Sequence, residues 1–180
     1  MHRHLFNDRH WQSNPRAIAA SPQLKQWLFY PDSLTQRLRL SFGPIVIQVI
    51  RDELSTPLVD EKTWLTHPRQ PCRIREVLLC QGQKPLVFAH SMIPLTKELS
   101  RFKSLAKLGN QPLGQWLFQQ QQMKRGLIAV KHIRVSHPLY QRIPGAQQPQ
   151  YWARRSWFQV GHEGLLVSEV FLEKMPHFNA

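Results

Sequence analysis

From Leu165 to Leu172 the chain runs Leu-Leu-Val-Ser-Glu-Val-Phe-Leu, and no other segment constrains the fold as strongly. In an extended strand alternate side chains point to opposite faces. Leu165, Val167 and Phe171 then share one face, while Leu166, Val170 and Leu172 make the other apolar as well. Neither face suits water, so the segment reads as a buried strand. Glu169 stands on the first face among apolar neighbours. Desolvating an unpaired carboxylate costs several kcal/mol, so a partner, a raised pKa or a function must account for it.

Five further runs are strand-like. Residues 45–51 are rich in β-branched side chains, residues 73–80 and 86–92 flank the turn-prone Gln-Gly-Gln-Lys-Pro as an antiparallel hairpin, and residues 127–133 and 152–160 follow. Gly161-His-Glu-Gly164 is a turn between the last two strands. Helical signals are fewer. Ser21-Pro22 suits an N-cap and first turn before Leu24, Trp27 and Leu28, and Asp32 or Ser33 can cap a second short helix carrying Leu34 and Leu38. Leu99, Phe102, Leu105 and Ala106 predict a helix over Thr96 to Leu108, stopped by Gly109-Asn110. Residues 111–118 suit a further short turn or helix, and the four glutamines at 119–122 a solvated linker. Ser55 to Gln70 reads as a long connection, and residues 134–150, with three prolines and a glycine, as an exposed loop. Strands without βα alternation predict an α+β fold with a mainly antiparallel sheet.

A chain of 180 residues suits one domain, 1–180, with residues 1–20 as a loosely ordered N-terminus. No run reaches the roughly 18 apolar residues of a membrane span, and the start lacks a signal peptide's apolar core, which predicts a cytoplasmic protein. Cys72 and Cys80 close the two ends of one predicted strand, too far apart to bridge, so both should be reduced. The net charge of +13 favours a polyanionic partner or small anions. Basic residues are nevertheless scattered, with short pairs at Lys124-Arg125 and Arg154-Arg155 and no recognition helix, zinc-finger spacing or RNP-type strand. Arg154-Arg155 reads as a solvated pair, or as one residue that attracts an anionic substrate. The six tryptophans read as core residues rather than base-stacking platforms. Nine histidines form no HExxH and no zinc-type spacing, and His2-x-His4 falls at a terminus expected to fray. GxSxG, Walker A and GxGxxG are absent, which removes the commonest hydrolase, P-loop and dinucleotide readings.

Alternation also sets Arg75 in line with Val77 and Leu79. A buried guanidinium thus accompanies the buried carboxylate of Glu169, and the two could be a matched pair. One reading is a salt bridge with no further role. The other is a pocket, in which Arg75 binds a carboxylate bidentately and Glu169 holds a hydroxyl or handles a proton. Such a pocket fits a small anion with a hydroxyl at its far end.

The segments WLFYPDSLTQRL, RIREVLLC, KLGNQPLGQWLF, YWARRSW and LLVSEVFL resemble, in order and approximate spacing, the bacterial chorismate lyases that make 4-hydroxybenzoate for ubiquinone. The likeness runs from about Leu24 to Leu172. It implies a six-stranded antiparallel sheet with helices packed on it and helical flaps over an internal ligand, in a monomer that needs no cofactor and no metal. Arg75 matches the family's carboxylate-binding arginine, and Glu169 the acid that meets the ring hydroxyl. Leu113 and Leu34 match positions whose backbone amides contact the ligand; a relative has methionine at the latter. Residues 134–150 look longer than in that relative, as a loop insertion would. The implied reaction turns chorismate into 4-hydroxybenzoate and pyruvate, with Glu169 either moving a proton or only positioning the substrate.

Two rival classes are compatible with the same sequence. The same fold serves as an effector-sensing domain in transcription regulators, although the roughly 23 residues before the first helix are too few for a winged helix. The charge and the tryptophans suit a nucleic-acid binder, which predicts steeply salt-dependent association.

Overall fold

The computed structural model of the protein describes residues 11–100, 102 and 105–176. Its centre is one six-stranded sheet built from β1 (Val46–Ser55), β2 (Cys72–Gln81), β3 (Lys84–Pro94), β4 (Lys124–Arg134), β5 (Gln150–Val160) and β6 (Glu163–Phe171). The order is β1-β2-β3-β6-β5-β4, and every neighbouring pair is antiparallel. β6 therefore lies inside the sheet, as its two apolar faces require. The start of β6 is crowded: a Cβ on Gly164 would sit 2.3 Å from the Phe158 carbonyl, so only glycine fits.

Helix α1 (Pro22–Leu28) starts as the sequence indicates, with the Ser21 hydroxyl accepting from the Leu24 amide at 3.2 Å. Helix α2 (Leu34–Phe42) is capped by Ser33, not Asp32, through the Gln36 amide at 3.3 Å. Both pack on one face of the sheet, where Trp27, Leu28, Leu34 and Leu38 meet Ile47, Val77, Leu79, Val87, Val130 and Phe171. The helix expected over Thr96 to Leu108 is not continuous. Helix α3 is only Lys97–Ser100, a 3-10 turn spans Leu105–Lys107, and Phe102 between them is not helical; residues 101, 103 and 104 lie outside the described set. The apolar residues recur every third position, and the backbone follows that period: Phe102 donates to the Leu99 carbonyl and Leu105 to that of Phe102. Helix α4 (Leu113–Gln119) completes this layer, burying Trp116 and Leu117 beside Phe158, Leu165 and Val167.

The opposite face carries Leu78, Phe88, Ile133, Ala153 and Val170. Two segments expected to be loose cover it. Trp11 is buried and Gln12 exchanges two backbone hydrogen bonds with Val130, so residues 11–20 are anchored; residues 1–10, with His2 and His4, lie outside the described set. The 134–150 loop is likewise not wholly exposed. Leu139 and Ile143 flank a 3-10 turn at Tyr140–Arg142 and are buried in this cluster, because two apolar side chains four residues apart reach the same surface. Cys72 and Cys80 are free and buried, as expected from their separation.

A buried ionic network ties the connections to this second face. His90 reaches Glu76 through Nδ1 at 2.9 Å and Glu61, in the β1–β2 connection, through Nε2 at 3.1 Å. Arg142, from the 134–150 loop, grips Glu76 bidentately at 2.7 and 2.8 Å. Burial opposes the charge on His90, but Glu61 and Glu76 outweigh it and raise the imidazole from 6.5 to about 9. Burial would raise Glu76 too, yet the hydrogen bonds from His90 and Arg142 bring it down to about 2. A raised histidine stabilises the fold fully below its unfolded value and ceases to do so as pH climbs through its folded one. For Glu76 the stabilisation is present above 4.5 and is lost as pH falls through about 2. Urea unfolding should therefore show stability level from about pH 5 to 6.5 and lower by about 3 kcal/mol near pH 9.5. His90→Gln should abolish most of that alkaline slope, and a flat wild-type profile across this range contradicts the assignment.

Candidate active site

The strand registers place two neighbouring rungs on the helix-covered face. One runs Val77, Ala89, Glu169, Arg154 and Val130 across the sheet; the next runs Arg75, Ser91, Val167, Ser156 and Ile128, with Asp52 beyond Arg75. Arg75 and Glu169 are thus two strands apart and one rung out of line. Strand spacing and rise put their α-carbons about 12 Å apart, which leaves room for one six-membered ring between the side chains. Ala89, between them, keeps the floor low.

The two charges do not pair with each other, contrary to the matched-pair expectation; each has its own partner. Arg75 is 2% exposed and donates from Nη1 to Asp52 at 2.7 Å and from Nη2 to the carbonyls of Gly109 and Gln111 at 2.7 and 3.2 Å. Asp52 also receives Arg73 at 2.5 and 2.8 Å, so one carboxylate serves two guanidiniums. Burial would raise Asp52, but the hydrogen bonds from Arg73 and Arg75 hold it below its ordinary value. A guanidinium has five N–H donors, so Arg75 keeps donors for a further anion.

Glu169 is held by Arg154 on the adjacent strand, Nε to Oε2 at 2.6 Å. Arg154 is 1% exposed, and its Nη1 also donates to the Trp27 and Tyr30 carbonyls at 3.2 and 3.0 Å, at and beyond the end of α1. The expected solvated pair Arg154-Arg155 is therefore buried throughout. Its strand, β5, lies inside the sheet, so alternation sends one arginine into each covered face. Arg155 donates to Asp60 at 3.3 Å and lies between the rings of Trp11 and Trp64.

Arg75, Arg154 and Glu169 line one cavity of about 40 Å³, and Leu34 and Leu113 line it too. Since one water needs roughly 10–15 Å³, side chains and roof enclose it closely. Val77, Leu79, Val167 and Phe158 form apolar walls, while the first residues of α2 and α4 form the roof. Leu34 and Leu113 open those helices, so their amides have no intrahelical acceptor, and neither finds one elsewhere among the described residues. Across the top, Arg39 of α2 donates to Gln115 of α4 at 3.1 Å.

Four residues singled out in the sequence thus meet in one pocket, and two that share it, Arg154 and Arg125, were not assigned to it, nor was Asp52, which holds Arg75 from outside the lining. Asp52 lies beyond the strand end that the sequence predicts, Arg154 belongs to a doublet that reads as solvated or as attracting an anionic substrate, and Arg125 to a scattered basic pair. Arg125 lines the same cavity, its Nε on the Ser156 hydroxyl at 2.9 Å and its Nη1 on the Pro31 carbonyl at 2.7 Å. Burial, then Arg154, brings its guanidinium down to about 10.

The family profile described as chorismate lyase matches residues 5–179. The chain belongs to the chorismate lyase family. Among curated relatives, a probable chorismate pyruvate-lyase of Idiomarina loihiensis is 36% identical over 169 residues, 92% of this chain and 86% of that protein. A protein of the same description from Thiobacillus denitrificans is 35% identical over 162 residues, covering 88% of this chain and 87% of that one. Among solved structures, a GntR-family transcriptional regulator from Bacillus cereus aligns with a TM-score of 0.53 over 76% of this chain and 96% of its own, at 13% identity. That likeness concerns the fold alone, and it accords with the expected α+β architecture. Among the described residues no helix is long and apolar enough to cross a membrane.

In this chorismate lyase family member the Arg154–Glu169 pair should couple stability to the site. Arg154→Met leaves a carboxylate and two carbonyls without their donor, and should cost roughly 3–5 kcal/mol in chemical unfolding. Adding Glu169→Gln should recover part of that loss, since the orphaned charge goes with it. Additive single effects in this cycle contradict the pairing.

Proposed function

We propose that the protein converts chorismate to 4-hydroxybenzoate and pyruvate, in the pocket spanned by Arg75 and Glu169. The observation that carries this reading is the arrangement of an anion-binding and a hydroxyl-binding group on opposite sides of a ring-sized space, in a chain of this family. Arg75 receives the ring carboxylate, assisted by the amides of Leu34 and Leu113. Leu34 contributes through its backbone, so leucine in place of methionine is a mild change. The Oε2 of Glu169 is occupied by Arg154, which leaves Oε1 to accept from the hydroxyl on C4.

The reaction is redox-neutral. The ether bond from C3 to the enolpyruvyl oxygen breaks, the hydrogen on C4 leaves, and a C3–C4 double bond completes the aromatic ring. The lost hydrogen ends on the vinyl carbon, giving the methyl group of pyruvate, either directly in one concerted step or by way of Glu169. Aromatisation drives the step downhill, so orientation, charge neutralisation and exclusion of water suffice, without metal or organic cofactor. We further infer a cytoplasmic monomer that supplies 4-hydroxybenzoate for ubiquinone and binds no nucleic acid; its support is the family likeness.

Incubation with chorismate should give the ultraviolet spectrum of 4-hydroxybenzoate and an equal amount of pyruvate. Arg75→Ala and Glu169→Ala should each lower kcat/KM by at least about 100-fold. Near-normal pyruvate release by either variant removes the assignment, and tight chorismate binding without turnover points instead to a sensor.

A further inference from the structure

Chorismate carries two carboxylates, and the reading above gives a partner to one. The second belongs to the enolpyruvyl group on C3, next to the C4 hydroxyl, so it must lie at the Glu169 end of the pocket. Two guanidiniums reach that end. Arg154 is already occupied by Glu169 and by the Trp27 and Tyr30 carbonyls. Arg125 is not: Nε serves Ser156 and Nη1 the carbonyls of residues 30–32, while Nη2 has no acceptor among the described residues.

We propose that Arg125 binds the enolpyruvyl carboxylate through Nη2 and so recognises the substrate by the group that its aromatic product lacks. The inference rests on the chorismate lyase reading of the same pocket. Charge balance supports it independently of any one contact. Asp52 is a single carboxylate against Arg73 and Arg75, which leaves one positive charge over at that end. Arg154 and Glu169 cancel. Arg125 has no carboxylate bonded to it among the described residues; Asp32 bonds to it through its carbonyl, at 3.4 Å, and the carboxylates of Glu169 and Asp32 act on it only at a distance. Two separate cations, on β2 and β4 at opposite flanks, one sharing its carboxylate and one with no carboxylate bonded to it, therefore face one cavity, and a dianion with carboxylates at two ends matches them.

The surroundings of Arg125 sharpen its preference. The Phe118 and Phe158 rings lie 5.7 and 5.4 Å from its guanidinium, and both line the cavity. Phe158 is buried while Phe118 is exposed, so solvent is excluded from the guanidinium on the Phe158 side, where an anion against Nη2 meets less competition from water. Nη1 and Nε are fixed by backbone and Ser156, which aims the remaining nitrogen before a ligand arrives. A planar fork so restrained is not replaced by lysine, whose charge is free to turn.

The test pairs a substrate change with a residue change. Wild-type protein is assayed with chorismate and with chorismate methylated only on the enolpyruvyl carboxylate; Arg125→Met and Arg125→Lys are assayed likewise, and 4-hydroxybenzoate affinity is measured by titration calorimetry. The ester should lower wild-type kcat/KM on the order of 100-fold. Arg125→Met should lose a similar factor on chorismate, scarcely distinguish the two substrates, and bind 4-hydroxybenzoate within about twofold of wild type. Arg125→Lys should fall between. An active wild type that uses ester and acid equally overturns the role of Arg125 alone, as does a variant that loses substrate and product affinity in equal measure. A wild type inert toward chorismate overturns the underlying reading and this role with it. The wild-type comparison stands even where a variant does not fold.

Discussion

The Arg154 guanidinium joins the centre of the sheet to the layer above it. One nitrogen fixes Glu169 on the neighbouring strand, and another closes the carbonyl end of α1 at Trp27 and beyond it at Tyr30. A group 1% exposed cannot exchange these partners for water, so both contacts hold together or fail together. The orientation of Glu169 and the seating of the helical layer are thereby one structural fact. Arg37 extends the arrangement, donating to the Gln26 carbonyl at 2.7 Å and lying over the rings of Trp27 and Tyr30.

Strand alternation divides the polar residues between two kinds of work. Arg75 and Glu76, Ala89 and His90, Ser168 and Glu169, Arg154 and Arg155 are sequence neighbours, and each pair sends one member to each face. On the far face Glu61, Glu76, His90 and Arg142 satisfy one another and hold the long connections down. On the near face the pairing is incomplete by design of the register: Arg75 retains donors, two helix-opening amides stand open, and Arg125 has a nitrogen over. Buried polar groups left short of partners are costly unless something binds there, so the asymmetry separates the structural face from the functional one.

The strands and the first two helices were legible because period and capping are local signals, and Arg75 and Glu169 were legible because each is a charge in an apolar alternation. Their partners were not, and the reason is geometric. In β1 the register shifts between Val49 and Arg51, so simple alternation from Ile47 and Val49 puts Arg51 inward, whereas Asp52 faces Arg75. In β4 a second shift lies between Arg125 and Ile128, and it turns Arg125 to the same face as Ile128 and Val130 despite the odd spacing. A bulge inverts the face assignment of everything beyond it and leaves no mark in the hydrophobic pattern. Arg154 escaped for a different reason: a doublet of arginines looks solvated until the strand is known to be interior. The 96–108 segment misled by composition, since a three-residue apolar period serves a 3-10 turn as well as a helix.

The net charge of +13 also acquires a narrower meaning. Exposed cations act through water and are screened beyond roughly 8 Å at physiological salt, so they can hasten the approach of a dianion but not hold it. Holding requires cations at least partly withdrawn from water, each short of a carboxylate and each aimed by its other bonds. Arg75, fully buried, and Arg125, half-buried, face the same space from opposite flanks, and in the proposed function the Arg154–Glu169 pair between them meets the hydroxyl. The arrangement reads the order carboxylate, ring, hydroxyl, carboxylate, and a polyanion with evenly repeated charges does not present that order within so small a cavity. Chorismate does.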